Sequence, residues 1–305
     1  MTFSIIVPAY KAHTTLERCL DGLKTLASAD CEIIIVDSSP DDKSENIIKR
    51  FSDFRLIRSP DRLLMHHASN IAAQAAGGKI LVFTDADCVI DNRWLRELEE
   101  SFQTGHKVVG GSILCYPGNN MDMAAHIVKF WKWLPGRGEG NITDLATANF
   151  AIDRSVFDQI GGFKCNLFAG DTELSLRLRD NGYKLFFNPQ AKVYHIHEHT
   201  FASLLRERYI KGNDHIGMLA LRERWGVCKR ILLIPALPLL VIWMVSRTMK
   251  ACWQSNMCWD FLKSIHIIVI ADAVSIAGGI RGRLKDIFSR VRHHSLFNSN
   301  VDYVS

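Results

Sequence analysis

Two aspartates, Asp85 and Asp87, follow a short apolar run and are the residues of this chain best suited to chemistry. The run at 79–83 has the length and the preceding glycines of a central strand in a parallel sheet. Ligands bind at the carboxyl ends of such strands, so both carboxylates are expected at a binding edge. Two carboxylates separated by one residue can hold one Mg²⁺ together with the phosphates of a substrate. The pair therefore predicts a metal that carries a diphosphate, although a strand end followed by a turn favours aspartate as well.

Alternating strand and helix patterns are expected to position this edge. Strand patterns lie at 3–7, 32–36, 54–57 and 79–85, and helix patterns separate them at 16–27, 44–51 and 68–76. The alternation predicts an α/β fold with a mostly parallel sheet and right-handed crossovers. Pro8 is expected to end the first strand, because proline cannot donate to a sheet ladder. Further on, the sequence predicts helices at 155–160 and 172–180 and strands at 108–114 and 191–194, whereas 115–145 shows no assignable pattern.

Charge is distributed unevenly along the 305 residues, of which 48% are hydrophobic and 23% charged. This size suits one large domain, or one domain with an appendage. From Phe201 onward there are 15 Lys and Arg against 7 Asp and Glu, which leaves 22 against 25 before that point. The asymmetry predicts an anionic partner for the C-terminal third, either a membrane or a nucleic acid.

Two apolar runs, Ile231 to Val245 and Ile265 to Ile280, distinguish the C-terminal third. Each is shorter than the ~20 residues of a straight bilayer crossing, so a hairpin, a re-entrant pair or interfacial helices are the membrane options. Trp243, Trp253 and Trp259 lie near the run ends, where aromatic belts form. Membrane contact is therefore predicted, with two buried helices of a soluble subdomain as the alternative. Nucleic-acid binding is disfavoured because the basic residues bracket apolar runs and do not alternate with aromatics.

The cysteines are scattered and show no paired C-x-x-C spacing, which predicts reduced packing residues in a cytosolic compartment. They are Cys19, Cys31, Cys88, Cys115, Cys165, Cys228, Cys252 and Cys258. The first residues lack the basic and apolar regions of a secretory signal.

Six pieces of the sequence, taken in order, resemble the family 2 glycosyltransferases. They are Val7-Pro8-Ala9-Tyr10, Ile35-Val36-Asp37-Ser38-Ser39, Phe83-Thr84-Asp85-Ala86-Asp87, Thr147-Ala148-Asn149-Phe150-Ala151-Ile152, Gly161-Gly162-Phe163, and Gly170-Asp171-Thr172-Glu173-Leu174 with Arg177-Leu178 and Gly182-Tyr183. The resemblance spans about two-thirds of the chain, Thr2 to Gly212. It implies the GT-A fold, a mostly parallel central sheet flanked by helices, here followed by an apolar helical region that contacts a membrane. The expected domains are a GT-A domain at 1–225 and this helical region at 226–305.

The same resemblance implies a nucleotide-sugar site at the first two strand ends. Asp37 is expected to accept a hydrogen bond from the nucleobase, although its Ser- and Asp-rich surroundings also suit a turn or helix cap. Pro8, Ala9 and Tyr10 would contact the same nucleoside, and Asn70 belongs to this site as well. The implied donor is a UDP- or GDP-sugar.

The metal site implied by the resemblance consists of Asp85, Asp87 and His195, and it would hold Mg²⁺ or Mn²⁺. Asp85 would face the ribose or the metal, and Asp87 would be the principal ligand. His195 would complete the metal shell, although a polar strand end explains it equally well. His197 and His199 are expected to face solvent.

Asp171 is the expected catalytic base. Inverting sugar transfer needs a group that takes the proton of an acceptor hydroxyl as it attacks the anomeric carbon. The matching aspartate has that role in the family, whereas the residues Thr172-Glu173-Leu174 after it would also make Asp171 a good helix N-cap.

Two positions depart from the family pattern. The family usually has Glu-Asp where this chain has Gly170-Asp171, which removes an acidic group that orients the acceptor. It often has Arg-Asn where this chain has Ser69-Asn70, so the arginine contact to the nucleotide is either absent or made by Arg62, His66 or His67.

The resulting prediction is a membrane-associated glycosyltransferase on the cytoplasmic face of the cell membrane, with a lipid-linked or cell-envelope glycan as acceptor. Trp131 and Trp133 are expected in the core, with an acceptor platform as the alternative. A sugar nucleotidyltransferase is the rival enzyme, but 8–12 lacks the glycines of its phosphate loop. A non-catalytic scaffold that keeps the fold is the rival outside enzymes.

Overall fold

A computed structural model describes residues 1–26, 30–164, 169–223 and 237–289. Within these ranges, nine strands form one mixed sheet. The strands are β1 Phe3–Ala9, β2 Cys31–Asp37, β3 Arg55–Arg58, β4 Ile80–Phe83, β5 Cys88–Ile90, β6 Val108–Cys115, β7 Gly140–Ile142, β8 Phe150–Asp153 and β9 Leu185–His195. The helices are α1 Leu16–Lys24, α2 Lys43–Ile48, α3 Met65–Ala75, α4 Trp94–Gln103, α5 Asn120–Phe130, α6 Arg154–Ile160, α7 Gly170–Asp180, α8 Phe201–Arg222, α9 Leu237–Gln254 and α10 Cys258–Ser289.

The strand order is β3-β2-β1-β4-β8-β6-β9-β5, with β7 paired to β9. Strands β1 to β4 are mutually parallel where they pair, which confirms the parallel sheet predicted for the first part of the chain. Strand β8 runs antiparallel to both β4 and β6, and β5 runs antiparallel to β9. The parallel strands end at one edge, where the first aspartates lie.

Strand β1 continues through Pro8 to Ala9, so the expected stop at proline was wrong by two residues. The main-chain N–H of Thr84 donates to the carbonyl of Ile6, so the main-chain polar groups of Ile6 face β4. Pro8 lies two residues further along the strand, so its main chain faces the same side, but β4 ends opposite Ile6. The N–H group that proline lacks would therefore point to a side where β4 no longer runs. The pairing of β1 with β2 is unaffected.

Helix α5 occupies part of the segment for which no pattern was assigned. It begins with a capping box, because the Asn119 side chain accepts from the main-chain N–H groups of Met121 and Asp122 while Asp122 accepts from that of Asn119. The helix packs with α8, α9 and α10 around a second hydrophobic cluster that includes Ile127, Leu204 and Phe261.

Helix α10 packs against α8, across the boundary that was predicted near residue 225. Gly212 of α8 lies so close to α10 that a Cβ atom there would overlap the carbonyl oxygen of Ser275. Gly278 and Gly282 of α10 approach the carbonyl groups of Tyr209 and Asn213 in the same way. Small residues at these positions therefore allow the two helix backbones to touch.

The second apolar run is part of a longer helix than the sequence suggested. The segment Cys258–Gly282 has 25 residues and is long and apolar enough to cross a membrane by length and composition. Buried core helices of soluble proteins meet the same condition. The first run lies in α9 from Leu237 onward, and its residues 231–236 lie outside the described ranges.

The described cysteines are free thiols, four of them buried. The predicted packing role therefore fits Cys19, Cys31, Cys88 and Cys252. Cys165 and Cys228 lie outside the described residues.

Replacing Gly212 with Ala is expected to lower the free energy of unfolding by about 1–3 kcal/mol, because the new methyl group overlaps the α10 backbone. Gly217→Ala is the matched control in the same helix, since its Cβ atom would lie 3.7 Å from the Gly282 carbonyl oxygen. That substitution should be neutral or should stabilise by up to about 1 kcal/mol through helix propensity. Denaturant unfolding of both variants is the measurement, and equal effects would contradict the close helix crossing.

Candidate active site

The structure brings Asp85, Asp87 and His195 together at the end of β4. Strand β5 turns back after the two aspartates and pairs with β9, so that Cys88 lies opposite His195. The main-chain N–H of Ile196 donates to the Asp87 carbonyl at 2.7 Å. As a result, Nε2 of His195 lies 3.4 Å from Oδ1 of Asp87. Ligand atoms of Asp85, Asp87, Cys88 and His195 all lie within 4.8 Å of one another.

The electrostatics of this cluster favour a cation. Burial raises the pKa of both carboxyl groups, and the charge of Asp87 raises that of Asp85 further. Burial, and then the positive charge of Lys129, hold the pKa of His195 well below its usual value, so the ring is neutral. Two like charges removed from water are costly unless a cation lies nearby.

The hydrogen bonding of His195 provides a test of whether a metal fits. Its Nδ1 lies 2.9 Å from the carbonyl oxygen of Ile196, which can only accept, so the proton of the neutral ring is on Nδ1. The lone pair on Nε2 then faces a carboxylate oxygen of Asp87. Two lone pairs face each other favourably only with a proton or a metal ion between them. Oxygen and imidazole ligands in this arrangement fit Mg²⁺ or Mn²⁺.

Asp37 lies at the end of β2, as predicted, and is 0% exposed. Its Oδ1 accepts hydrogen bonds from the main-chain N–H and the hydroxyl of Ser39, at 3.0 and 2.6 Å. Its Oδ2 pairs with Arg58. The carboxylate is thus held rigidly by the protein, and its expected contact with a nucleobase stays a prediction.

The neighbouring end of β1 supplies the aromatic part of the same edge. Pro8 and Tyr10 are half-buried and Ala9 is buried. The guanidinium of Arg62 lies 4.7 Å from the centre of the Tyr10 ring. Of the three residues considered for the arginine contact, Arg62 is therefore the one stacked on the predicted nucleoside edge.

Asn70 binds the loop after α6. Its Nδ2 donates to the Phe163 carbonyl at 2.8 Å, and its Oδ1 accepts from the Phe163 N–H at 3.0 Å. Arg177 of α7 holds the same loop, because it donates to the carbonyl groups of Ile160 and Gly162, each at 2.6 Å. Asn70 thus supports the loop between α6 and α7, and its expected contact with the nucleotide sugar stays a prediction.

Asp171 lies in the first turn of α7 and not at its N-cap. The helix begins at Gly170, with Ala169 as the residue before it. Oδ1 of Asp171 accepts from the main-chain N–H of Thr172 at 2.7 Å. The cap interpretation was therefore wrong by two positions. The charge of Asp171 also raises the pKa of Asp85, and the expected role of Asp171 as the base stays a prediction.

His66 fills the space beside Gly170, where the family usually has glutamate. A Cβ atom on Gly170 would lie 2.6 Å from Nδ1 and 2.7 Å from Cε1 of His66. His66 is buried and packs on the Phe163 ring with the ring centres 4.9 Å apart. The side chain missing at residue 170 and the imidazole at residue 66 therefore compete for one volume.

Helices α5 and α8 contribute charged residues that the sequence analysis did not find. Lys129 lies 3.4 Å from Glu207 and 3.1 Å from Nε2 of His199. Burial opposes ionisation of Glu207, but Lys129 and then His199 hold its pKa down to about 2. Burial lowers the pKa of Lys211, and the charge of Asp171 opposes that shift. A capping pattern at Asn119 was the only local signal for α5.

Two further expectations concern aromatic side chains. His197 is 7% exposed, so its expected orientation toward solvent was wrong; α5 covers it, and His126 lies within hydrogen-bonding distance. Trp133 is buried and donates to the Asp144 carbonyl, which confirms its core position. Trp131 is half-buried, with the Arg247 guanidinium 4.9 Å from its ring centre.

Comparison with known proteins defines the class to which this fold and site belong. The architecture is similar to that of the mannosyltransferase PcManGT from Pyrobaculum calidifontis in complex with GDP-Man and Mn²⁺, with a TM-score of 0.58, 19% identity, and coverage of 92% of this chain and 86% of that one. The fold is the predicted GT-A fold of glycosyltransferases.

The family follows from the sequence. Residues 4–161, just over half of the chain, match the family described as glycosyl transferase family 2. The chain is 25% identical to the glycosyltransferase AglE of Haloferax volcanii over 222 residues, 70% of this chain and 72% of AglE. It is 25% identical to the O-antigen chain rhamnosyltransferase WbaN of Salmonella anatum over 212 residues, 65% of this chain and 67% of WbaN. The chain belongs to glycosyl transferase family 2, which makes it an enzyme of glycosyl transfer.

Replacing Gly170 with Ala is expected to displace His66, with a loss of about 1–3 kcal/mol in the free energy of unfolding. The double variant His66→Ala/Gly170→Ala removes the clash. Its loss in the free energy of unfolding should therefore be smaller than the sum of the losses in the two single variants by about 0.5–3 kcal/mol. Thermal and denaturant unfolding of the four proteins in this cycle give the coupling. Additive effects would show that the two positions do not share one volume.

Proposed function

We propose that this glycosyltransferase moves a sugar from a nucleoside diphosphate sugar to an acceptor hydroxyl, with inversion at the anomeric carbon. The observation that carries the proposal is the lone pair of His195 facing the Asp87 carboxylate, with Asp85 beside it. These three residues would hold Mg²⁺ or Mn²⁺. Bound there, the ion supplies positive charge to the leaving diphosphate.

The nucleoside would lie along the ends of β1 and β2. Tyr10 and Arg62 offer a stacked aromatic and cationic surface, and the rigid pair of Asp37 and Arg58 offers hydrogen-bonding groups beside it. Pro8, Ala9 and Asn70 complete the proposed contacts. A UDP- or GDP-sugar fits this surface, because both present a planar base and a diphosphate.

Asp171 is the proposed base. The Thr172 N–H fixes one oxygen of its carboxylate, and its place in the first turn of α7 puts it at the positive end of a helix dipole. Its charge reaches both Asp85 and Lys211, so it lies beside the proposed diphosphate site. The carboxylate would take the proton of the attacking acceptor hydroxyl.

Replacing Asp171 with Asn is expected to lower turnover by about 10²- to 10⁴-fold, because the amide cannot accept the proton. Binding of the donor should remain, since the variant leaves the metal ligands intact. Asp87→Asn should instead abolish the dependence of donor binding on Mn²⁺.

A thermal-shift panel of UDP-, GDP- and dTDP-sugars, with and without Mn²⁺, measures binding because a ligand that prefers the native state raises the melting temperature. Product formation from the bound donor measures turnover. Wild-type turnover in Asp171→Asn would remove it as the base. An Mn²⁺-independent shift shared by the wild type and Asp87→Asn would overturn the metal site.

We further propose that residues 226–305 hold the enzyme at the cytoplasmic face of a membrane, where a lipid-linked or cell-envelope glycan would be the acceptor. Helices α9 and α10 expose large apolar side chains: Leu239, Ile242, Trp243, Met249, Trp253, Trp259, Leu262, Ile265, Val269 and Ile270. Trp253 and Trp259 flank the turn between these helices and are 73% and 67% exposed. Lys263 and Arg247 lie over the Trp259 and Trp243 rings, at 5.5 and 4.4 Å from the ring centres. Tryptophan with nearby cations suits the headgroup region of an anionic bilayer.

Replacing Trp253 and Trp259 with Ser is expected to weaken partitioning onto anionic vesicles roughly tenfold or more for each residue, because a buried aromatic side chain is worth about 1.5–3 kcal/mol. Phe201→Ser is the matched control, since Phe201 is exposed but lies at the start of α8. Co-sedimentation with anionic and neutral vesicles is the measurement. A wild-type protein that stays in the supernatant, or equal effects of all three substitutions, would contradict membrane contact through this turn.

A further inference from the structure

A second cluster of metal-ligating side chains lies behind the active site, at the ends of β6 and β9. It consists of Cys115, His126 and His197, which come from β6, from α5 and from the segment after β9. One ligand atom from each lies within 4.8 Å of the other two. Neither the nucleotide site nor the proposed base uses any of them.

The two imidazoles are buried with unsatisfied nitrogens. His126 is 0% exposed, and its Nδ1 lies 3.2 Å from Nε2 of His197. Nε2 of His126 and Nδ1 of His197 find no hydrogen-bond partner among the described residues. A single hydrogen bond between two neutral rings leaves one outer N–H and one outer lone pair, and buried polar atoms of this kind are normally paired. A metal ion between the facing nitrogens would take a lone pair from each ring and place both protons on the outer nitrogens, which is the usual tautomer of metal-bound imidazoles.

The geometry fits a tetrahedral zinc ion between the rings. Two nitrogen ligands on such an ion are about 3.3 Å apart when the Zn–N bonds are about 2.0–2.1 Å. The facing nitrogens of His126 and His197 are 3.2 Å apart, and their rings meet at 74°. With an ion between them, both facing nitrogens present lone pairs.

The charges around Cys115 also favour a cation. Burial, and then the charges of Asp122 and Asp260, raise the pKa of its thiol to about 12. Burial lowers the pKa of His126 to about 3, so its ring stays neutral and keeps a lone pair. Zinc would displace the thiol proton to solvent and form a Zn–S bond, which leaves a thiolate partner for the ion.

We propose that Cys115, His126 and His197 bind a zinc ion that fastens α5 to the ends of β6 and β9. Sulfur and imidazole ligands select zinc, whereas the carboxylates of Asp85 and Asp87 select Mg²⁺ or Mn²⁺. Three protein ligands leave the fourth position to water. The ion would fix the helix that carries Lys129 and the segment that follows His195.

Cobalt is the probe for this site, because thiolate ligation of Co²⁺ produces a charge-transfer absorption that carboxylates and imidazoles do not. The full chain is stripped with a chelator and titrated with Co²⁺, and bound zinc is counted separately by elemental analysis after equilibrium dialysis. The absorption is expected in the wild type and in Cys88→Ala, and it should be lost in Cys115→Ala together with one bound zinc per chain. Cys88 is the matched control, because its buried thiol lies beside Asp87 in the active site.

The absorption should persist in Asp87→Asn, so failure of the zinc proposal is distinguishable from failure of the proposed donor site. No thiolate absorption in the wild type would overturn the proposal, whatever the stability of the variants. Survival of the absorption in Cys115→Ala, or loss of the absorption in Cys88→Ala, would overturn the proposal as well. Circular dichroism of Cys115→Ala shows whether it folds, and His126→Asn gives a second variant that should lose the zinc but retain the thiol.

Discussion

The structure depends on holding two half-buried carboxylates, Asp85 and Asp87, side by side at the end of β4. Burial makes their joint ionisation unfavourable, so the surroundings must supply positive charge. The protein supplies part of it through Lys129 and Lys211, whose charges lower the pKa of Asp85. Both lysines come from helices outside the parallel half of the sheet. A divalent cation at Asp85, Asp87 and His195 would supply the rest.

Local patterns predicted the part of the site that lies at strand ends. Asp37 is the last residue of β2 and Asp85 lies two residues after β4, so the apolar runs and the turn residues after them were enough to place both. The burial of His197 could not be predicted in this way, because the helix that covers it lies about 70 residues earlier in a stretch without periodicity. Lys129 and Glu207 were missed for the same reason. Their roles depend on contacts between distant segments, which neither residue type nor spacing records.

The departures from the family pattern are linked by space. Gly170 replaces a glutamate of the family, and the imidazole of His66 occupies the volume that opens beside it. Ser69, where the family often has arginine, is buried and donates its hydroxyl to the Met65 carbonyl within α3. An arginine there would have to leave this packed face. Arg62 instead lies over the Tyr10 ring, and its contact with a nucleotide stays a prediction.

Helix α8 couples the active site to the C-terminal helices because its neighbouring rows of side chains face different partners. Glu207 and Lys211 are four residues apart and interact with the charges around Asp171 and Lys129. Arg208 and Gly212, one position further along, contact Asp272 and Ser275 of α10. A displacement of α10 would therefore act on the helix that carries Glu207 and Lys211. If the turn between α9 and α10 contacts a bilayer, as proposed, α8 would connect that contact to the charged residues near the proposed base.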